Sequence, residues 1–283
     1  MKIHLISYTS NPERSIAAPM MNMGIGKDIT DLNQISDDEV KEYVGEILKS
    51  NLPEPLTFAS FNFFWQDIPL FLRAQLVRHH IGWSFAERSM RFYDANMDDP
   101  INSVDWNGLP TIKDKMGTGK SSDYNPLSGA NLQEVVDKEM KRQLELYKLL
   151  IKAGADQQDA RNIVGVWYPT NIQTTCTFYA LRHMISKRIG SQAHPLWQEA
   201  AKQIKALVMQ VSPVLGESLV DACSIAGRCV WKSKLDRDCA DCIARGTEKA
   251  HEHKWTRDTT FGEKTQCDCG SLKPMNLIKA KNK

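Results

Sequence analysis

Apolar and polar residues alternate at the start of the chain, with Ile3 and Leu5 in phase and Tyr8 out of it. That period of two predicts a strand over 1–9. Over 37–48 the period lengthens, and Val40, Tyr43, Val44 and Ile47 share one helical face, with Asp37 as the expected cap and Pro53 and Pro55 as the stop. The aromatic run 56–65 returns to period two at Phe61 and Phe63 and predicts a buried strand. Pro69 then opens a helix expected to reach about His79, its apolar body (Leu70, Phe71, Leu72, Ala74, Leu76, Val77) interrupted by the charge of Arg73. Residues 94–130 are rich in Asp, Asn, Gly and Ser without sustained period, which predicts a loop-rich insertion. A helix follows over 132–152, striped by Val136, Met140, Leu144, Tyr147 and Ile151 and stopped by Gly154. Asp156 caps a shorter helix through Ala160, Arg161 and Ile163. Two more helices are expected, over about 175–187 and from Pro195 to Val211, before Pro213 and Gly216 punctuate the chain. The pattern is mixed α/β with helix in excess.

Composition changes this picture at one end only. The chain has 283 residues, 42% hydrophobic and 25% charged, enough for one large folded domain with an appendage. No stretch approaches the roughly 18–20 apolar residues of a membrane helix, and the opening residues lack a charged leader with an apolar core, so a cytoplasmic protein is expected. Net charge is +2, which excludes a strongly basic nucleic-acid binder on bulk charge. The charge is uneven, however: residues 232–283 hold 12 basic and 8 acidic residues, leaving 24 and 26 upstream. Six of the seven cysteines (Cys223, Cys229, Cys239, Cys242, Cys267, Cys269) crowd the same end, and only Cys176 lies earlier. An odd count without a leader peptide argues for a reducing compartment and against a disulfide framework. We therefore divide the chain at 1–225 and 226–283.

The densest polar cluster is QLVRHHIGWSFAERSMRFYD, residues 75–94. On a helix, Gln75, Arg78 and His79 stand at i, i+3 and i+4 and share a face. Farther on, Glu87, Ser89 and Arg91 alternate, and in an extended segment they share a side. Guanidinium groups with a hydroxyl suit a phosphorylated ligand, because arginine binds phosphate in bidentate fashion.

This cluster resembles the signature of flavin-dependent thymidylate synthases, Arg-His-Arg, seven residues, then Ser, with Glu before the Ser and Arg after it. Arg78, His79, Glu87, Ser89 and Arg91 match, while His80 replaces the third basic residue and eight residues separate it from Ser89. Ala86 stands where Asn commonly precedes the Glu. The segment 160–194 is similar to the family's later block: Arg161 and Arg188 fall at its two arginine positions, Ala193 matches, and His194 replaces a Gln. Thr177 occupies the place of a flavin-contacting Asn. PLTFASFNF (55–63) resembles the family's strand entry without its Glu-His pair. The resemblance covers about residues 1–225.

The resemblance implies an α/β (α+β) fold, a mixed, mainly antiparallel sheet with a helix-rich surround. It implies methylation of a pyrimidine deoxynucleotide monophosphate at C5, most simply dUMP to dTMP, with FAD as cofactor and NADPH and methylenetetrahydrofolate as co-substrates. Arg188 is similar to the arginine that activates the pyrimidine, and is the expected catalytic residue. Gln75, Arg78, Glu87, Arg88, Ser89, Met90, Arg91, Arg161 and Arg188 fall on nucleotide-binding positions. Arg78, His79, His80, Glu87, Thr177, Phe178, Tyr179 and His183 fall on positions that meet FAD. A homotetramer with sites between subunits is implied as well. Because His80 and Thr177 depart from the pattern, a dCMP methylase or a pyrimidine hydroxymethylase stays open: cytosine reverses the donor and acceptor that uracil presents at N3 and position 4.

The cysteine-rich end adds a second chemistry. Cys239-x-x-Cys242 and Cys267-x-Cys269 supply four thiols in two close pairs, which suit a structural, tetrahedral zinc ion. Cys229, His251 and His253 are substitute ligands, whereas Cys176 and Cys223 are expected to pack as small buried hydrophobes. A non-catalytic, zinc-bearing nucleic-acid-binding protein is the competing class, and the basic end leaves nucleic acid open as an unexpected partner. The run Met116-Gly-Thr-Gly-Lys-Ser121 is discarded as a phosphate loop. The first glycine of GxxxxGK[ST] would fall at Asp114, and no apolar strand leads into it.

Overall fold

One four-stranded sheet organises the chain. The computed structural model describes residues 1–50, 53–89, 132–190 and 193–226, with two short strands at 255–256 and 266–267. In it, β1 (Lys2–Tyr8), β2 (Ser60–Pro69), β3 (Trp83–Glu87) and β4 (Pro169–Thr177) lie in the order β1-β2-β4-β3, every neighbouring pair antiparallel. β5 (Trp255–Thr256) and β6 (Gln266–Cys267) pair separately. The helices are α1 (Pro12–Pro19), α2 (Asp37–Lys49), α3 (Leu70–Leu76), α4 (Leu132–Lys152), α5 (Gln157–Ala160), α6 (Phe178–Arg188), α7 (Pro195–Val211), α8 (Pro213–Glu217) and α9 (Ala222–Ala226).

The sheet is two-faced because its strands alternate. Phe61, Phe63 and Trp65 of β2 point into the core with Ile3, Ile172 and Trp83, while Asn62, Gln66, Gln173 and Ser84 take the other face. Against the inner face pack Phe178, Leu181, Met184 and Ile185 of α6 and Trp197, Ala200, Ala201, Ile204 and Val208 of α7. Each fully buried large side chain contributes about 2–3 kcal/mol of transfer free energy. A second, smaller cluster joins Met140, Leu144 and Tyr147 of α4 to Ala160, Trp167 and Tyr168. Cys176 and Cys223 are buried free thiols, as expected.

Four local expectations are corrected. The cap of α2 is Ser36 rather than Asp37: Ser36 Oγ accepts from the Glu39 N–H and the Glu39 carboxylate accepts from the Ser36 N–H, a reciprocal box that Asp37 could not form. The strand expected at 56–65 begins at Ser60, after a 3-10 turn over Glu54–Phe58. The helix expected from Thr175 begins at Phe178, and the preceding residues form β4, where no strand was expected. The helix opened by Pro69 ends at Leu76 instead of His79, because the chain must turn at Gly82 (φ 71) to enter β3.

These junctions place the site. A bulge at Asp67 (φ 55), whose N–H donates to Asn171 Oδ1 at 2.9 Å, turns β2 towards α3. The first N–H groups of α3, on Leu70 and Phe71, donate to the carbonyls of Tyr168 (2.9 Å) and Val166 (2.8 Å). β4 runs directly into α6, with Thr177 as its cap accepting from the Ala180 N–H.

Candidate functional site

The site grows from three helix ends. Gln75 lies in the last turn of α3, His79 in the turn beyond it, Arg188 at the last residue of α6, and Trp197 in the first turn of α7. Arg188 Nη1 donates to Gln75 Oε1 at 3.1 Å and Arg188 Nε donates to His79 Nε2 at 3.4 Å. Gln75 Oε1 also accepts from Trp197 Nε1 at 2.9 Å. The guanidinium carbon lies 5.0 Å from the Trp197 ring centroid, within the range of a cation–π contact. Trp197 is fully buried and meets Trp65 edge-on at 6.0 Å, and Trp65 Nε1 donates in turn to Thr174 Oγ1 at 3.1 Å. The arginine is thus tied through two indoles to the centre of the sheet.

Electrostatics fix the state of His79. Burial, then the positive charge of Arg188, then His183, lower its pKa from 6.5 to about 4. The ring is therefore neutral at pH 7, and because Nε2 accepts from Arg188 its proton resides on Nδ1. The neighbouring protein partly desolvates the otherwise exposed His183 and, with Lys187, lowers its pKa, and desolvation lowers that of half-buried Arg188. An arginine nevertheless stays charged. Among the described residues, the site sets the Arg188 cation beside a neutral imidazole, a suitable arrangement for stabilising negative charge on a heterocycle.

The expected residues fall into three groups. Gln75, His79 and Arg188 come together; the helix ends at Leu76, and Arg78 lies exposed in the turn that follows it. Glu87 forms an ion pair with Arg73, the charge that interrupts the apolar run of α3. Arg88 and Ser89 follow β3 in exposed positions, Arg88 donating its N–H to the Asn171 carbonyl. Arg161 opens the 3-10 turn Arg161–Ile163 beside α5, on a different element from the Arg188 cluster. His80 Nδ1 lies 3.1 Å from the Arg78 carbonyl. Tyr179 and His183 stand exposed on α6, whereas Phe178 is fully buried 6.0 Å from Phe61, so only its backbone can face a ligand. Met90 and Arg91 lie outside the described residues, as do the 94–130 insertion, Cys239, Cys242, Cys269 and the Cys267 side chain. Among the described residues, no three His, Cys, Asp or Glu side chains could hold a metal ion together, and no helix is long and apolar enough to cross a membrane.

Trp197 and Arg73 were not anticipated. Arg73 carried a signal, a charge within an apolar helical run. Trp197 carried none, because its partner Gln75 lies 122 residues away.

Residues 4–214 match the family model described as thymidylate synthase complementing protein. A flavin-dependent thymidylate synthase from Saccharolobus solfataricus is 26% identical over 219 residues, 76% of this chain and 75% of the relative. One from Pyrococcus furiosus is 24% identical over 259 residues, 90% and 99% of the two chains. Among solved structures, a UMP/dUMP methylase PolB from Streptomyces cacaoi, bound with 5-Br dUMP, superposes with a TM-score of 0.60 at 20% identity, covering 77% of this chain and 93% of its own. The flavin-dependent thymidylate synthase ThyX from Helicobacter pylori, complexed with FAD and dUMP, gives 0.56 at 17% identity, covering 78% and 100%. At those identities the two structures show a shared fold.

Proposed function

The chain belongs to the thymidylate synthase complementing protein family, and from that premise we propose that it methylates a pyrimidine deoxynucleotide at C5, dUMP to dTMP. FAD is the cofactor in this reading, with NADPH as reductant and methylenetetrahydrofolate as one-carbon donor. The observation that carries it is the half-buried Arg188 guanidinium, held by Gln75, His79 and Trp197.

Arg188 faces the N3 and O2 side of the pyrimidine. Its positive charge stabilises the negative charge that develops there, which raises electron density at C5 without attack by an enzyme thiol. His79, neutral and accepting from Nε, keeps that guanidinium from rotating and adds no competing charge. Ser89, Arg88, Arg161 and Arg91 bind the phosphate by charge-assisted hydrogen bonds. The residues fit a flavin nucleotide because the turn 78–82, carrying Arg78, His79 and His80, is bonded to the start of α6. There the Thr177 N–H donates to the Gly82 carbonyl at 3.0 Å, next to exposed Tyr179 and near His183. Arg78, His79, His80, Glu87, Thr177, Tyr179, His183 and the Phe178 backbone would hold FAD, which when bound supplies the hydride chemistry. A homotetramer with sites shared between subunits completes the reading. A structural zinc on Cys239, Cys242, Cys267 and Cys269 rests on spacing alone. Metal analysis of wild type against Cys239→Ser tests it, and equal metal content in the two refutes it.

The deciding experiment incubates the FAD-loaded protein with NADPH, methylenetetrahydrofolate and either dUMP or dCMP, and measures product mass. A methyl gain on dUMP is expected. A methyl gain on dCMP alone, or a hydroxymethyl gain, overturns the assignment in favour of a related pyrimidine-modifying reaction. Protein that neither binds FAD nor modifies a nucleotide refutes it outright.

A further inference from the structure

We propose that Trp197 is a positioning residue for Arg188, an inference that rests on the arginine's role in activating the pyrimidine. Trp197 is fully buried, so it acts on the reaction only through what it touches. It touches the site in three ways. Its indole N–H donates to Gln75 Oε1 at 2.9 Å, its face lies 5.0 Å from the Arg188 guanidinium carbon, and its ring meets His79 at 6.5 Å and 72°.

The first contact settles the orientation of the Gln75 amide. Two donors, Trp197 Nε1 and Arg188 Nη1, converge on one side of that amide. With the amide flipped, its NH2 group would face both of them and satisfy neither. The indole N–H therefore holds Oε1 towards the guanidinium and leaves the amide NH2 to point away, as a donor for an anionic ligand. The second contact restrains the plane of the guanidinium, since a cation over an indole face tilts only at the expense of that attraction. Among the described residues, the hydrogen bonds to Gln75 and His79 engage Nη1 and Nε, which leaves Nη2 for the substrate. Trp197 is itself fixed by Trp65, at 6.0 Å and 75°, and Trp65 by Thr174. The arginine's direction is thus set by residues of β2 and β4 that meet no ligand.

The test uses the FAD-loaded full chain. Trp197→Phe keeps an aromatic face against Trp65 and deletes the N–H. Turnover on dUMP is expected to fall about five- to tenfold, the scale of one hydrogen bond, with FAD content close to wild type and a melting temperature lowered by the lost core volume but well above the assay temperature. A double-mutant cycle separates positioning from packing. If Trp197 acts through the amide, adding Trp197→Phe to Gln75→Ala costs little further turnover, whereas an independent packing role gives additive losses. Turnover of Trp197→Phe within twofold of wild type overturns the proposal, and so does additivity. Trp197→Tyr replaces Trp197→Phe if the latter loses its fold, and failure of both to fold makes the tryptophan a core residue only, which also overturns it. Arg188→Ala is assayed in parallel. Full turnover there removes the arginine's own role, a failure distinct from an inactive Arg188→Ala beside an unimpaired Trp197→Phe.

Discussion

Acidification should weaken the fold through His79 in a way that one substitution can isolate. The pKa of His79 lies at about 4 in the folded chain against 6.5 ordinarily, so the unfolded chain takes up a proton first as pH falls. The stability that goes with the neutral ring is complete above pH 6.5, declines between 6.5 and about 4, and changes no further below that. At about 1.4 kcal/mol per pH unit the whole effect is at most about 3.5 kcal/mol. The ring keeps some contact with solvent, so screening brings the expected cost to about 1–2 kcal/mol. The perturbation is His79→Gln, whose amide oxygen still accepts from Arg188 Nε and does not titrate. Urea unfolding at pH 7.5 and pH 5 should show wild type losing about 1 kcal/mol more than the variant, with the carboxylates and other histidines cancelling between the two. Proton NMR of the ring should give a midpoint near 4. A midpoint at or above 6.5, or equal losses in wild type and variant, would refute the burial of the His79 ring beside the Arg188 charge.

Two other substitutions probe the junctions around the site. Gly82→Ala should destabilise the fold by about 2 kcal/mol or more in urea titration, because φ is 71 there and an added Cβ would lie 2.9 Å from both Thr177 Oγ1 and Ala180 Cβ; an unchanged midpoint would show that the turn is not held against α6. Ser36→Ala should cost about 1 kcal/mol by the same measurement, the usual worth of a helix cap, with FAD binding untouched, and a loss below about 0.3 kcal/mol would mean that the capping box contributes little.

How legible all this was depended on which side chains face inward. The helices 132–152 and 195–211 match the expected bounds because aliphatic and aromatic stripes coincide with proline and glycine punctuation. β4 was hidden because its inward face alternates Thr170, Ile172, Thr174 and Cys176. Threonine counts as polar in a pattern, yet Thr174 is buried with its hydroxyl satisfied by the Trp65 N–H. Local helical spacing brought Gln75, Arg78 and His79 to attention but not the early end of α3, which depends on how tightly Gly82 abuts α6. Arg188 was assigned by family resemblance, and the structure adds its neighbours. Those contacts span 109 to 122 residues of sequence, a separation at which no periodicity survives.

The line of contacts from Thr174 through Trp65 and Trp197 to Arg188 bears on how the protein fails when heated. Helix ends ordinarily fray first, at little free-energy cost, and a residue at the last position of α6 would be expected to lose its orientation well before the core opens. Here the side chain is held by two hydrogen bonds and by the face of a tryptophan fixed in the core, so releasing it costs those three contacts together. Catalytic competence should therefore persist up to the cooperative unfolding transition and disappear with it, leaving no temperature interval in which the chain is folded but inert.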